Sequence, residues 1–137
     1  MKIKKIIVHC AATPPSMDIG AAKINEWHIE RGWKGIGYHY VIKRDGTLQQ
    51  GRSENEMGAH CQGENDDSLG ICLVGGVDEH NNPENNFTQE QFSRLHELLT
   101  NLMKKYNLTE KEIYGHRDFN PNKACPSFDV HAWLQNH

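Results

Sequence analysis

The stretch Lys4-Lys5-Ile6-Ile7-Val8-His9-Cys10 sets the fold class. Three successive β-branched residues without polar alternation predict a strand buried on both faces, as in the interior of a helix-covered parallel or mixed sheet. His9 interrupts the run, and because side chains alternate along a strand, His9 and Cys10 point to opposite faces. Taken alone, a strand histidine is more often a hydrogen-bonded core residue than a ligand. The loop Gly115-His116-Arg117-Asp118-Phe119-Asn120-Pro121-Asn122-Lys123-Ala124-Cys125-Pro126 favours the ligand reading. Imidazole and thiolate are good zinc ligands, and His9, His116 and Cys125 together supply three, leaving a fourth position for water as in catalytic zinc sites. Lys123 would bring a positive charge into the same site.

Outward from that strand, Ser16 or Asp18 is placed to cap a helix over about 19–31, which Gly32 ends. A strand over 38–43 follows, with Tyr38, Tyr40 and Ile42 on one face and His39 and Val41 on the other. Asp45-Gly46 turns it into a hairpin with 47–50. The polar run 52–67 reads as a long surface segment, and loops of that length are often functional. Residues 68–74 form a second buried strand. Thr88 and Gln91 make a capping box for a helix whose Phe92, Leu95, Leu99, Leu102 and Tyr106 recur at helical spacing, and Asn107 stops it. Thr109 and Glu112 repeat the capping pattern over one turn, and Asp129 caps a terminal helix. The order of elements is that of an α/β protein, a mixed sheet flanked by helices.

The 137 residues suit one domain that buries roughly two-thirds of the unfolded chain's surface, so neither a disulfide nor a metal is needed merely to fold. A net charge of -3 lacks the basic face that nucleic acid would require, so no nucleic-acid partner is expected. No apolar run approaches the ~20 residues of a membrane span, and the apolar stretch after the basic opening is too short for a signal peptide. Synthesis in the cytoplasm, with Cys10, Cys61, Cys72 and Cys125 as free thiols, is the matching expectation. Nine histidines raise the prior for metal chemistry without saying which of them matter.

Four blocks carry a resemblance. Val8-His9-Cys10-Ala11-Ala12-Thr13, Gly37-Tyr38-His39-Tyr40-Val41-Ile42-Lys43-Arg44-Asp45-Gly46-Thr47, Gly70-Ile71-Cys72-Leu73-Val74-Gly75-Gly76 and Lys123-Ala124-Cys125-Pro126-Ser127-Phe128-Asp129 resemble, in order, the zinc-dependent N-acetylmuramoyl-L-alanine amidases. Within that family the chain looks most like the phage lysozymes of amidase type, relatives of the peptidoglycan recognition proteins. The resemblance spans nearly the whole chain and implies one catalytic domain over 1–137, with a mixed central sheet and a zinc ion in a surface groove.

It also implies hydrolysis of the amide joining the lactyl group of N-acetylmuramic acid to L-alanine. Residue by residue, His9, His116 and Cys125 fall on the zinc ligands, Tyr38 on the catalytic tyrosine and Lys123 on the catalytic lysine. Gly58-Ala59-His60-Cys61 resembles the groove wall, which makes His60 a candidate substrate contact. His39 is a second candidate beside the site, and Trp33 a candidate groove residue. His28, His80, His96, His131 and His137 are expected to be structural or solvated.

The expected partner is peptidoglycan or a muropeptide, bound by a monomer that reaches the wall through a holin or similar route. The chain starts almost at its first strand, so the RNA polymerase binding of some phage relatives is not expected here. Two other readings stay open: a peptidoglycan-binding module that does not cut, and an amidase for soluble muropeptides in wall recycling. Non-catalytic relatives typically lose the cysteine ligand, which this chain keeps as Cys125.

Overall fold

The computed structural model describes residues 2–136, so His137 lies outside the described residues. In it β1 (Lys5–Cys10) runs through the interior of a five-stranded sheet of order β3-β2-β4-β1-β5. The other strands are β2 (Tyr40–Ile42), β3 (Leu48–Gln50), β4 (Ser68–Leu73) and β5 (Ile113–Gly115). β1 pairs in parallel with β4 and β5, β4 in parallel with β2, and only β3 is antiparallel, through the Asp45-Gly46 hairpin. This is the mixed sheet expected from the sequence. Ile6, Ile7 and Val8 of β1 are each 0% exposed, as burial on both faces demands.

The two faces differ in what covers them. Ile6, Val8, Ile71 and Ile113 pack under α2 (Gln89–Tyr106) and α3 (Val130–Gln135), with Leu95, Leu99, Leu102, Val130 and Leu134 filling the main core. The opposite face, with Val41, Cys72 and Val74, packs against Ile24 of α1 (Ala21–Glu30) and Ile36, in a smaller cluster that Trp27 and Tyr38 partly cover. Three capping predictions are met: Thr88 and Gln91 form the reciprocal box at the start of α2, Thr109 and Glu112 form another around the 3₁₀ turn Glu110–Glu112, and Asp129 accepts from the Ala132 N–H at 3.1 Å.

Three local expectations are corrected. α1 begins at Ala21, and its first N–H is taken at 2.7 Å by Gln49 Oε1 rather than by Ser16 or Asp18. A side chain from a strand hairpin, far away in sequence, supplies the cap. The alternation predicted for 38–43 also fails at its start, because Tyr38 and His39 precede the β2 ladder. Tyr40 and Ile42 lie on the α2 face, whereas Tyr38 joins Val41 on the α1 face. Finally, 52–67 is not wholly a surface segment. Glu54 receives the Tyr40 and Tyr106 hydroxyls and the Lys105 ammonium, which ties this stretch to β2 and α2.

Gln91 shows how α2 is pinned to the sheet. Its side chain is 0% exposed; Nε2 donates to Val74 O at 2.9 Å and Ile42 O at 3.2 Å, while Oε1 accepts from the Thr88 N–H. Gln91→Leu keeps the volume and removes all three bonds. At about 0.5–1.5 kcal/mol net for each bond, the variant is expected to lose about 2 kcal/mol, read as a lower urea midpoint at unchanged slope.

Candidate metal centre

Strand register brings the first two predicted ligands together. Val8 pairs with Gly115 across the β1–β5 ladder, so His116, one residue beyond, emerges beside His9 at the carboxyl ends of both strands. The two rings lie 4.6 Å apart between centroids. From Gly115 the chain makes a 3₁₀ turn, His116–Asp118, whose end is closed by Asp118 Oδ2 accepting from the Gly115 N–H at 2.8 Å. The loop then returns, and the Arg117 N–H donates to Cys125 O at 2.8 Å, which seats Cys125 against the end of β1. There the Cys10 backbone N–H donates to Cys125 Sγ at 3.1 Å. One ligand atom from each of His9, His116 and Cys125 lies within 4.8 Å of the others, an arrangement able to hold a metal ion.

The electrostatics suit metal binding. Burial, followed by the neighbouring His60 and His116, holds His9 well below the ordinary histidine range, and burial with the nearby Lys123 charge lowers His116. Both rings are therefore neutral at pH 7 and keep a lone pair. The adjacent Cys10 sulfur and burial push the Cys125 thiol well above its usual range, and a cation at this point reverses that preference by stabilising the thiolate. Two imidazoles and a thiolate form a nitrogen and sulfur set of the kind that selects zinc.

Two of the three candidate ligands, His116 and Cys125, line a groove of about 760 Å³ together with Tyr38, Lys123 and Trp33, while His9 is buried, 1% exposed. Tyr38 rests on His9, with centroids 5.1 Å apart. Its pKa is raised well above the phenol value by burial first and then by the Cys72, Cys125 and Cys10 thiols, so its hydroxyl keeps its proton at neutral pH. His28 also borders the groove, a position that its sequence context does not reveal. Its Nδ1 accepts from the Gly37 N–H at 2.9 Å, and its ring packs on Trp33 at 4.5 Å.

The two histidines expected to touch substrate are placed differently. His60 borders the groove, but its Nδ1 lies 2.9 Å from His9 Nε2 and its Nε2 lies 3.3 Å from Ser68 Oγ. Burial, followed by the nearby His39, pushes its pKa down to about 3. His39 corrects the expectation outright. It is 0% exposed, takes the Gly70 N–H on Nδ1 at 3.1 Å and bonds Glu56 O through Nε2 at 2.7 Å. Both nitrogens serve the backbone, so His39 pins the 52–67 stretch to β4 and has no atom left for substrate.

Comparison with known proteins agrees with this geometry. The sequence profile of the family "N-acetylmuramoyl-L-alanine amidase" matches residues 1–128. The chain belongs to that family. It is 47% identical over 131 residues to the endolysin of Klebsiella phage KP32, covering 96% of this chain and 85% of that one. The amidase LysC of Clostridium intestinale URNW superposes with a TM-score of 0.83 at 33% identity, over 98% of this chain and 87% of its own. Bumblebee PGRP-SA superposes with a TM-score of 0.79 at 25% identity, over 99% and 82%. The α/β fold is thus that of the amidases and the peptidoglycan recognition proteins, and family membership with endolysin likeness supports a peptidoglycan amidase.

Buried neutral histidines are expected to make this amidase fold acid-sensitive. Burial, with Arg31 and Arg52 nearby, lowers His28 to about 4, and burial also lowers His39. A depressed histidine pKa means that the unfolded chain binds more protons below about pH 6.5, so stability is full above that value and falls as pH drops toward 4. The urea midpoint is expected to fall between pH 7 and pH 5. His28→Asn, which offers an acceptor where Nδ1 stands but cannot charge, should flatten that decline.

Proposed function

We propose that the chain is a zinc-dependent N-acetylmuramoyl-L-alanine amidase, cutting the amide between the lactyl group of N-acetylmuramic acid and L-alanine in peptidoglycan. The observation that supports this reading is the convergence of His9, His116 and Cys125, with His116, Cys125, Tyr38 and Lys123 lining one groove. The donor set fits zinc, with two neutral imidazoles and a sulfur whose thiolate a cation would stabilise. Bound there, zinc supplies Lewis acidity and a water acidified enough to attack an amide at neutral pH.

The chain's own residues divide the remaining work. Lys123 lies near enough to His116 for its ammonium to lower that ring's pKa, which supports a role for its charge in stabilising the oxyanion of the attacked carbonyl. Tyr38 keeps its hydroxyl proton, which suits it to orient water and relay a proton to the leaving amine rather than to act as a general base. The groove between His28 and Lys123 receives the muramyl peptide. In this reading residues 1–137 are one catalytic domain, active as a monomer, made in the cytoplasm and released to the wall by a holin or equivalent route. Among the described residues no helix is long and apolar enough to cross a membrane.

The decisive experiment is digestion of purified peptidoglycan with products read by mass spectrometry. New L-alanine amino termini without new sugar reducing ends, abolished by a chelator and restored by zinc, are expected. Tight binding without cleavage of sacculi or of soluble muropeptides would overturn the enzyme in favour of a recognition module. Lys123→Ala is expected to keep its zinc and lose about 100-fold or more in turnover, as for removal of one oxyanion donor. Cys125→Ser should lose zinc and activity together, and a fully loaded, active variant would overturn the ligand assignment.

A further inference from the structure

The hydrogen bonds behind His9 admit one arrangement of protons. Ser68 Oγ has a single hydrogen, and it donates to Glu64 O at 2.6 Å, a carbonyl that can only accept. Toward His60 Nε2, 3.3 Å away, the same Oγ therefore accepts, and the hydrogen between them belongs to Nε2. A neutral imidazole carries one N–H, so His60 Nδ1 accepts, and it receives His9 Nε2–H at 2.9 Å. His9 is left with its lone pair on Nδ1, the atom that lies 3.9 Å from Cys125 Sγ.

We infer that His60 is a positioning residue for the metal site: through Ser68 and Glu64 it fixes His9 in the Nε2–H tautomer and aims the Nδ1 lone pair at the space shared with His116 and Cys125. The inference rests on the reading of those three residues as zinc ligands.

The surroundings of His60 are built for this task. A Cβ on Gly70 would stand 2.6 Å from His60 Cγ, and one on Gly58 would stand 2.6 Å from its Cδ2, so only glycine at both places leaves room for the ring. Asn65 Oδ1 accepts from the backbone N–H groups of both His60 and Cys61 at 2.9 Å, holding the loop in register with the ring. The rings of His9 and His60 meet edge to face, at 88° and 4.9 Å, which orients one nitrogen of each toward the other. β4, through Ser68 and Gly70, and the 58–65 loop thus converge on one imidazole whose two nitrogens are both engaged by protein groups.

The test is zinc affinity of the full chain, measured by competition with a chromogenic chelator, together with ¹⁵N imidazole shifts of the metal-free protein. His60→Leu is expected to weaken zinc binding about 10–100-fold, the usual effect of losing a hydrogen-bond partner of a ligating histidine. His60→Asn, whose Oδ1 stands where Nδ1 stood, should recover most of that loss, which a merely structural role would not predict. In the wild type His9 should be protonated on Nε2, and in His60→Leu the two tautomers should mix. Unchanged zinc affinity in His60→Leu beside a loss in Cys125→Ser would overturn the role of His60 alone. Equal affinity in wild type and Cys125→Ser would overturn the ligand reading and this proposal with it. Should His60→Leu not fold, the wild-type spectrum decides: His9 protonated on Nδ1 overturns the inference.

Discussion

His9 is a titratable ring, 1% exposed, at the end of an apolar strand, and a charged imidazole there would be expensive to desolvate. The ring must stay neutral and find a partner for each nitrogen, and much of the site follows from that requirement. On the Nε2 side the chain supplies His60, in a slot cleared by two glycines. On the Nδ1 side it supplies Cys125 and, through the β1–β5 register, His116. Because β1, β4 and β5 all run in the same direction, their carboxyl ends open onto one edge of the sheet. In parallel sheets, that is where loops from different strands can meet around a ligand.

How much of this was legible in the sequence depended on the range of the interactions involved. α2 and its capping box were readable because a helix writes its apolar stripe and its N-terminal bonds within a few residues of each other. β1 was readable because burial on both faces leaves an unbroken β-branched run. The cap of α1 was not, since its acceptor, Gln49, lies 28 residues away from Ala21. The face of Tyr38 was misread for a related reason. Alternation holds only inside a hydrogen-bonded ladder, and β2 begins two residues after Tyr38.

The site divides along the same line. His9, His116 and Cys125 could be proposed from ligand chemistry, since few residue types bind zinc well and a buried histidine asks for an explanation. The duties of His39 and His60 could not be told apart in the same way. Both are histidines beside glycines, and the difference lies in their partners. His39 gives its nitrogens to two backbone groups, of Gly70 and Glu56, whereas His60 meets another imidazole 51 residues away. No local pattern records which of those outcomes a histidine will have.

The two faces of the sheet also separate stability from chemistry. The larger core lies under α2 and α3, and the groove opens on the other side, where α1 covers a smaller apolar cluster. Polar and ionisable groups are therefore gathered away from the contacts that contribute most of the hydrophobic burial. A site that gathers three candidate ligand atoms, a protonated phenol and several neutral histidines in low dielectric is costly to assemble, and it persists only on a scaffold whose stability comes from elsewhere. Tyr38 shows why the arrangement is useful. The burial that raises its pKa keeps the proton on the oxygen, so in the proposed mechanism the hydroxyl orients water and passes a proton on rather than abstracting one. Lys123 is exposed and lines the groove, so its charge faces whatever occupies it.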